Sequence, residues 1–183
     1  MSSAQLSLSP DTDYRGLMVT RLTLRAGVAV AADPVRVWDL VVDWHRQHEW
    51  ILATSTEGGH GLGAKVTGRT ALGPIGFTDP MIITEWSPPN RCIVNHLGPV
   101  VRGSGEFEVV PLAVGGAGAA SPWAEFRWTE RIDLPLPRGL GKLVVAAVVG
   151  PLARLGLGWS LRRFARVAAT LTADQPGEPG KPG

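Results

Sequence analysis

The sequence predicts an α+β fold built as one domain, in which a single antiparallel sheet is joined by two short helices near the N-terminus and one long helix at the C-terminus. Three features carry this expectation. DPVRVWDLVVDWHRQHEW (33–50) opens with helix-start residues. Between residues 52 and 134, six short extended runs are separated by glycine, proline or asparagine at hairpin spacing. After PLPRG (135–139) the pattern turns helical to about residue 171.

With 183 residues and no internal repeat, the chain has the length of one core. The polar residues 1–16 and the Gly/Pro-rich tail 173–183 are expected to stay disordered, which leaves residues 17–172 as the domain. From Val19, VTRLTLRAGVAVAA alternates, with Leu22, Leu24, Ala26, Val28 and Val30 on one side and Arg21, Thr23 and Arg25 on the other, the pattern of a half-buried strand. Asp33 is an N-cap acceptor and Pro34 suits the first helical turn. Val37, Leu40 and Val41 then give an apolar face, with Trp38 beside it. Trp38, Trp44 and Trp50 lie six apart, and at about 100° per residue they cannot share one face of a continuous helix. A break near Asp43 and Trp44 follows, giving a helix over 34–43 and a short helix or turn through Ile51. The strands expected next are LATSTEG, AKVTGRTAL, GFTDPMIITEW, NRCIVNHLG, VRGSGEFEVVPL and WAEFRWTERIDL, with AVGGAGAASP as a long hairpin tip. The final helix is expected over about 139–171, bent or split by Pro151 and by Gly156 and Gly158.

Composition removes several function classes. The formal charge is +2 and Arg162, Arg163 and Arg166 make the one basic cluster, so no nucleic-acid partner is expected. The single cysteine, Cys92, has no partner for a disulfide, fits a reducing compartment and reads as a small buried apolar residue. The first residues show neither a basic start nor an apolar run, so the expected location is cytoplasmic. LVVAAVVGPLARLGLGW (143–159) is broken by Pro151, Arg154 and glycines and reads as a buried helix, its apolar run falling short of the ~20 residues of a span. There is no phosphate-binding glycine loop and no G-x-S-x-G elbow, so neither a nucleotide cofactor nor serine hydrolysis is expected.

VAVAADPVRVWDLVVDWHRQHEW, ITEWSPPNR (83–91) and WAEFRWTERIDL together resemble the START-like, helix-grip (SRPBCC) superfamily, and within it the polyketide cyclase/dehydrase-like proteins. The resemblance covers residues 19–171 and specifies fold better than activity. It implies the helix-grip (Bet v 1-like) fold, a curved antiparallel sheet around the long C-terminal helix with the two short helices near the N-terminus. It also implies an apolar cavity between sheet and helix for molecules such as polyketides, sterols, lipids or plant hormones. Aromatases of this fold orient a poly-β-keto chain with a buried arginine, and GFTDPMIITEW carries none. Trp38 and Trp50 match the early tryptophans of the family, residues of the cavity mouth or of ordinary core, and Val144 and Val148 on the long helix are expected to line the cavity.

The last strand carries the clearest chemical signal. By period two, Ala124, Phe126, Trp128, Glu130 and Ile132 face inward, while Glu125, Arg127, Thr129, Arg131 and Asp133 face out. Glu130 is then a carboxylate on an apolar face, where burial raises a pKa and makes an acid, a base or a polar anchor. A glutamate reaching solvent or pairing with an arginine is the rival reading. On VRGSGEFEVV, Val101, Gly103, Gly105, Phe107 and Val109 face inward, and the two glycines leave room or let the sheet bend. His96 is a candidate inner polar group, with a satisfied structural histidine as its alternative. His45 and His48 are three apart in HRQHE, which is not a zinc-peptidase motif, so no metal is expected and His48 is read as a rim residue.

The expectation is a protein that holds a small hydrophobic or aromatic, polyketide-like molecule, with Glu130 and His96 as catalytic candidates and Trp38, His48, Trp50, Phe107, Phe126, Trp128, Val144 and Val148 as ligand contacts. If it is an enzyme, it acts as a cofactor-free cyclase or dehydratase by positioning and proton transfer. A non-catalytic carrier or sensor of a lipid-like ligand is the alternative, as is a lipid- or quinone-binding protein touching a membrane through the apolar helix and Arg162, Arg163 and Arg166. Either a monomer or a homodimer fits.

Overall fold

A computed structural model describes residues 5–12, 18–99, 101–113, 123–135, 147 and 149–173. Its elements are β1 (Gln5–Thr12), β2 (Met18–Val30), α1 (Pro34–Val42), the 3-10 helix α2 (Trp44–Glu49), β3 (Thr54–Gly58), β4 (Lys65–Leu72), β5 (Ile75–Ser87), β6 (Arg91–His96), β7 (Gly103–Leu112), β8 (Trp123–Pro135) and α3 (Gly150–Ala173). The strands form one eight-stranded antiparallel sheet in the order β1-β2-β8-β7-β6-β5-β4-β3. The fold is the expected α+β helix-grip arrangement, a curled sheet with the C-terminal helix and the two short helices packed on its inner side.

Local chemistry accounts for the boundaries. Asp33 accepts a hydrogen bond from the Val35 amide (2.8 Å) and Pro34 fills the first helical position. Val37, Trp38, Leu40, Val41 and Val42 give α1 its buried face. Asp43 leaves the helical region at ψ 90 and accepts from the Arg46 amide, so one residue ends α1 and caps α2, where the tryptophan spacing places the break. On α3, Leu157, Leu161, Phe164 and Ala168 recur at helical spacing and are buried against the sheet. Trp50, fully buried, lies in edge-to-face contact with Phe107, Phe126, Trp128 and Phe164 at centroid distances of 5.1–6.2 Å, which ties the end of α2 to β7, β8 and α3. On the outer face, Glu106 pairs with Arg91 and Arg131, and Arg127 with Glu125, all at 2.7–2.9 Å, so the polar half of the alternation stays in water.

Two expectations are corrected. Residues 5–12, read as part of a disordered N-terminus, form β1, which pairs with β2 from Gln5↔Arg25 to Thr12↔Met18. The alternation of Leu6 and Leu8 with Ser7 and Ser9 is the signal for it. Pro151 is the second residue of α3, and because Ala147 and Val149 before it are π-helical, the change of helix type falls beside the proline. Gly156 and Gly158 lie inside an uninterrupted helix, which the buried Leu157, Leu161, Phe164 and Ala168 hold through one face rather than by propensity. The portion of the expected helix before Val149 lies, apart from Ala147, outside the described residues.

Candidate functional site

Period-two alternation on four adjacent strands brings the site together. Phe77, Asp79, Met81 and Ile83 of β5, Cys92, Val94 and His96 of β6, Gly105, Phe107 and Val109 of β7, and Phe126, Trp128 and Glu130 of β8 all turn to the inner face. Glu130 stands opposite Gly105, and Gly105 opposite Val94. Strands two apart in a sheet lie ~10 Å from each other, too far for side chains to meet over an ordinary residue. Gly105 removes that residue: a Cβ there would stand 2.9 Å from Glu130 Oε1. The His96 and Glu130 side chains therefore meet across β7.

They meet as part of a chain of polar contacts. His96 Nδ1 is 2.6 Å from Asp79 Oδ2, His96 Nε2 is 3.2 Å from Glu130 Oε2, and the Trp128 indole donates to Glu130 Oε1 at 2.6 Å. The three charged side chains retain only 8%, 12% and 16% exposure for His96, Asp79 and Glu130. Burial alone would lower the pKa of His96, but its hydrogen bonds to Asp79 and Glu130 and the charges of those two carboxylates outweigh it and hold the group at about 10. His96 is an imidazolium at neutral pH, donating from both nitrogens. Because those nitrogens face opposite carboxylates, the three side chains do not converge on one point, and no group of metal-ligating side chains is found among the described residues.

This chain forms the polar end of a cavity of about 160 Å3. Phe77, Met81, Val94, Val101, Phe107 and Trp128 supply apolar wall, Thr54, Thr56 and Thr70 line the side toward β3 and β4, and α2 closes it with Trp44, Gln47 and the following Ile51. A broader groove of about 400 Å3 lies on the other face of the sheet among Arg25, Arg127, Arg131 and the glutamates that face them. That groove is the outer ion-pair surface and has no apolar floor of comparable depth.

Of the residues singled out from sequence, Glu130, His96, Phe107 and Trp128 stand together on the cavity wall. Glu130 bonds His96 and Trp128 rather than an arginine, and its side chain is largely buried. Trp38, Trp50 and Phe126 are buried in the core and do not line the cavity: Trp38 packs edge-on against Trp86 at 5.3 Å, and Trp50 and Phe126 are enclosed by other rings. His48 lies on the solvent side of α2, its Nδ1 against the His45 carbonyl, away from the cavity. Val144 and Val148 lie outside the described residues. Sequence reasoning missed Asp79, whose signal was the one used for Glu130, a carboxylate in an alternating apolar set. It also missed the threonines of β3 and β4, which carry no such signal.

The family model described as polyketide cyclase / dehydrase and lipid transport matches residues 21–169. No curated protein matches the chain. Solved structures share the fold at low identity. A protein of Thermus thermophilus is 18% identical, with a TM-score of 0.59 over 84% of this chain and 99% of that one. One of Nitrosomonas europaea is 13% identical, with a TM-score of 0.59 over 82% and 96%. One of Chromobacterium violaceum is 15% identical, with a TM-score of 0.57 over 80% and 97%.

Proposed function

The chain belongs to the polyketide cyclase/dehydrase and lipid transport family, and on that premise we propose that its cavity binds one compact, largely apolar molecule whose polar group meets the Asp79–His96–Glu130 wall. The observation that carries this reading is the placement of three charged, largely buried side chains on the wall of an otherwise apolar cavity. Taking such groups out of water is costly, and apolar residues of equal volume would pack the same space at no such cost. Size limits the occupant: ligand pockets usually measure ~300–1,000 Å3, whereas this cavity is about 160 Å3, so one or two fused rings fit better than an extended chain.

Thermal unfolding in the presence of a panel of ring compounds, sterols, quinones and fatty acids tests the reading, together with native mass spectrometry of the purified protein. A ligand present at a hundred times its Kd stabilises the native state by ~2.7 kcal/mol, so a true occupant raises the melting temperature by several degrees. Silence across the whole panel, with no co-purified mass, would sink the proposal.

A second reading is cofactor-free proton transfer, as expected of a cyclase or dehydratase, with Glu130 as base and His96 holding it. Its support is the asymmetry of the two contacts: at 3.2 Å the His96–Glu130 bond is the looser partner of the 2.6 Å His96–Asp79 bond, so a substrate proton competes for Glu130 first. Glu130→Gln keeps the shape and removes the titration. Under this reading it lowers turnover by ~10²-fold or more while binding survives; equal turnover in the variant excludes Glu130 as the base.

A further inference from the structure

The polar end of the cavity is made of acceptors. His96 turns Nδ1 to Asp79 and Nε2 to Glu130, at 2.6 and 3.2 Å, and a ring nitrogen bonds a carboxylate oxygen only through a hydrogen, so His96 has no free N–H for a ligand. The indoles of Trp128 and Trp44 are engaged in the same way, and Gln47 uses one of its two amide N–H groups. Trp128 donates to Glu130, Trp44 to the Gly59 carbonyl at 2.8 Å and Gln47 to the Val41 carbonyl at 3.1 Å. Asp79 Oδ1 is enclosed, toward Gly98, and has no hydrogen-bond partner in the protein, so the acceptor within a ligand's reach is the Glu130 carboxylate, 16% exposed. Neither arginine nor lysine is among the described lining residues. With one imidazolium between two carboxylates, this end of the cavity carries a formal charge of about −1.

From this arrangement we infer that the cavity selects molecules whose polar end donates a hydrogen bond, a hydroxyl or an amine, and rejects those that end in a carboxylate. The inference rests on the reading of the cavity as the ligand site. A donor bonds the Glu130 carboxylate on the cavity wall, and an analogue without the donor forgoes that bond, which is how polar sites discriminate. A carboxylate adds a like charge where little water remains to screen it, and the His96 and Trp128 N–H groups at that end are already engaged. Anionic fatty acids are thereby disfavoured relative to phenols, alcohols and amines of similar size.

Three two-ring probes of one shape test this: 2-naphthol, naphthalene and 2-naphthoate, each titrated calorimetrically into the protein near neutral pH. The expected order is naphthol tighter than naphthalene by on the order of tenfold, the worth of one hydrogen bond to a charged acceptor, with naphthoate weakest. In Glu130→Gln the site loses a negative charge and gains an amide donor, so the preference for naphthol over naphthoate should shrink severalfold; circular dichroism establishes that the variant is folded. Naphthoate binding to the parent as tightly as naphthol overturns the inference and leaves the cavity reading intact. If none of the three binds, the cavity reading fails and the inference with it.

Discussion

His96 makes the behaviour of the molecule depend on pH in a definite direction. Its folded pKa of about 10 lies above its ordinary 6.5, so the stability it contributes is complete below about pH 6.5 and is lost as pH rises through about 10. Urea titrations across this range should show stability falling on the alkaline side, and His96→Gln should remove that fall. A variant with the same alkaline slope as the parent would mean that the imidazolium is not held by Asp79 and Glu130. Cys92, on the inner face of β6, has its thiol pushed up to about 12, first by burial and then by Glu85. It should resist alkylation at pH 8 in the native protein and react at once when the protein is unfolded, as mass spectrometry of the adduct can show.

The β7 strand shows how an element can serve a site by what it omits. Gly103 has φ +124 and a Cβ there would collide with the Arg131 carbonyl oxygen, whereas Gly61, at φ +96 in the β3–β4 turn, has open space around it. Gly61→Ala should therefore cost only the ~1–2 kcal/mol of its backbone conformation, and Gly103→Ala that amount plus an overpacking penalty of ~1–3 kcal/mol, measured as the difference in unfolding free energy. Gly105→Ala is a different case, since its methyl would crowd Glu130 Oε1 and Val94 Cγ2. It should push the carboxylate away from His96 and diminish the alkaline loss of stability that the parent shows.

Across the whole molecule, the aromatic cluster joins elements far apart in sequence. Phe164 of α3 meets Trp50 at 5.1 Å and Phe126 at 4.5 Å, and is fully buried. Phe164→Ala should cost ~3–5 kcal/mol, while Leu155→Ala, about two and a half turns earlier on the same helix at a residue 71% exposed, should stay within ~0.5 kcal/mol. Equal effects in chemical denaturation would mean that α3 does not grip the sheet through this face. The cavity lies beside the cluster, sharing Phe107 and Trp128 with it, so one set of rings both holds α3 in place and shapes the space for a ligand.

The order of strands and helices from β2 onward, the break at Asp43, the long C-terminal helix and the inward direction of Glu130 were all readable along the chain, because each depends on neighbours within a few positions: a cap, a periodicity of two or of 3.6, a turn residue. Even Gly103 and Gly105 announced a hollow. The meeting of Asp79, His96 and Glu130 was not readable, since it depends on the registers that set β5 against β6, β6 against β7 and β7 against β8, which together bring His96 to Glu130 from 34 positions away. Trp38, Trp50 and Phe126 fell to the core and Phe107 and Trp128 to the cavity wall for the same reason. An apolar side chain pointing inward satisfies the pattern either way, and which neighbours enclose it is settled by the packing of α1, α2 and α3 across the curved sheet.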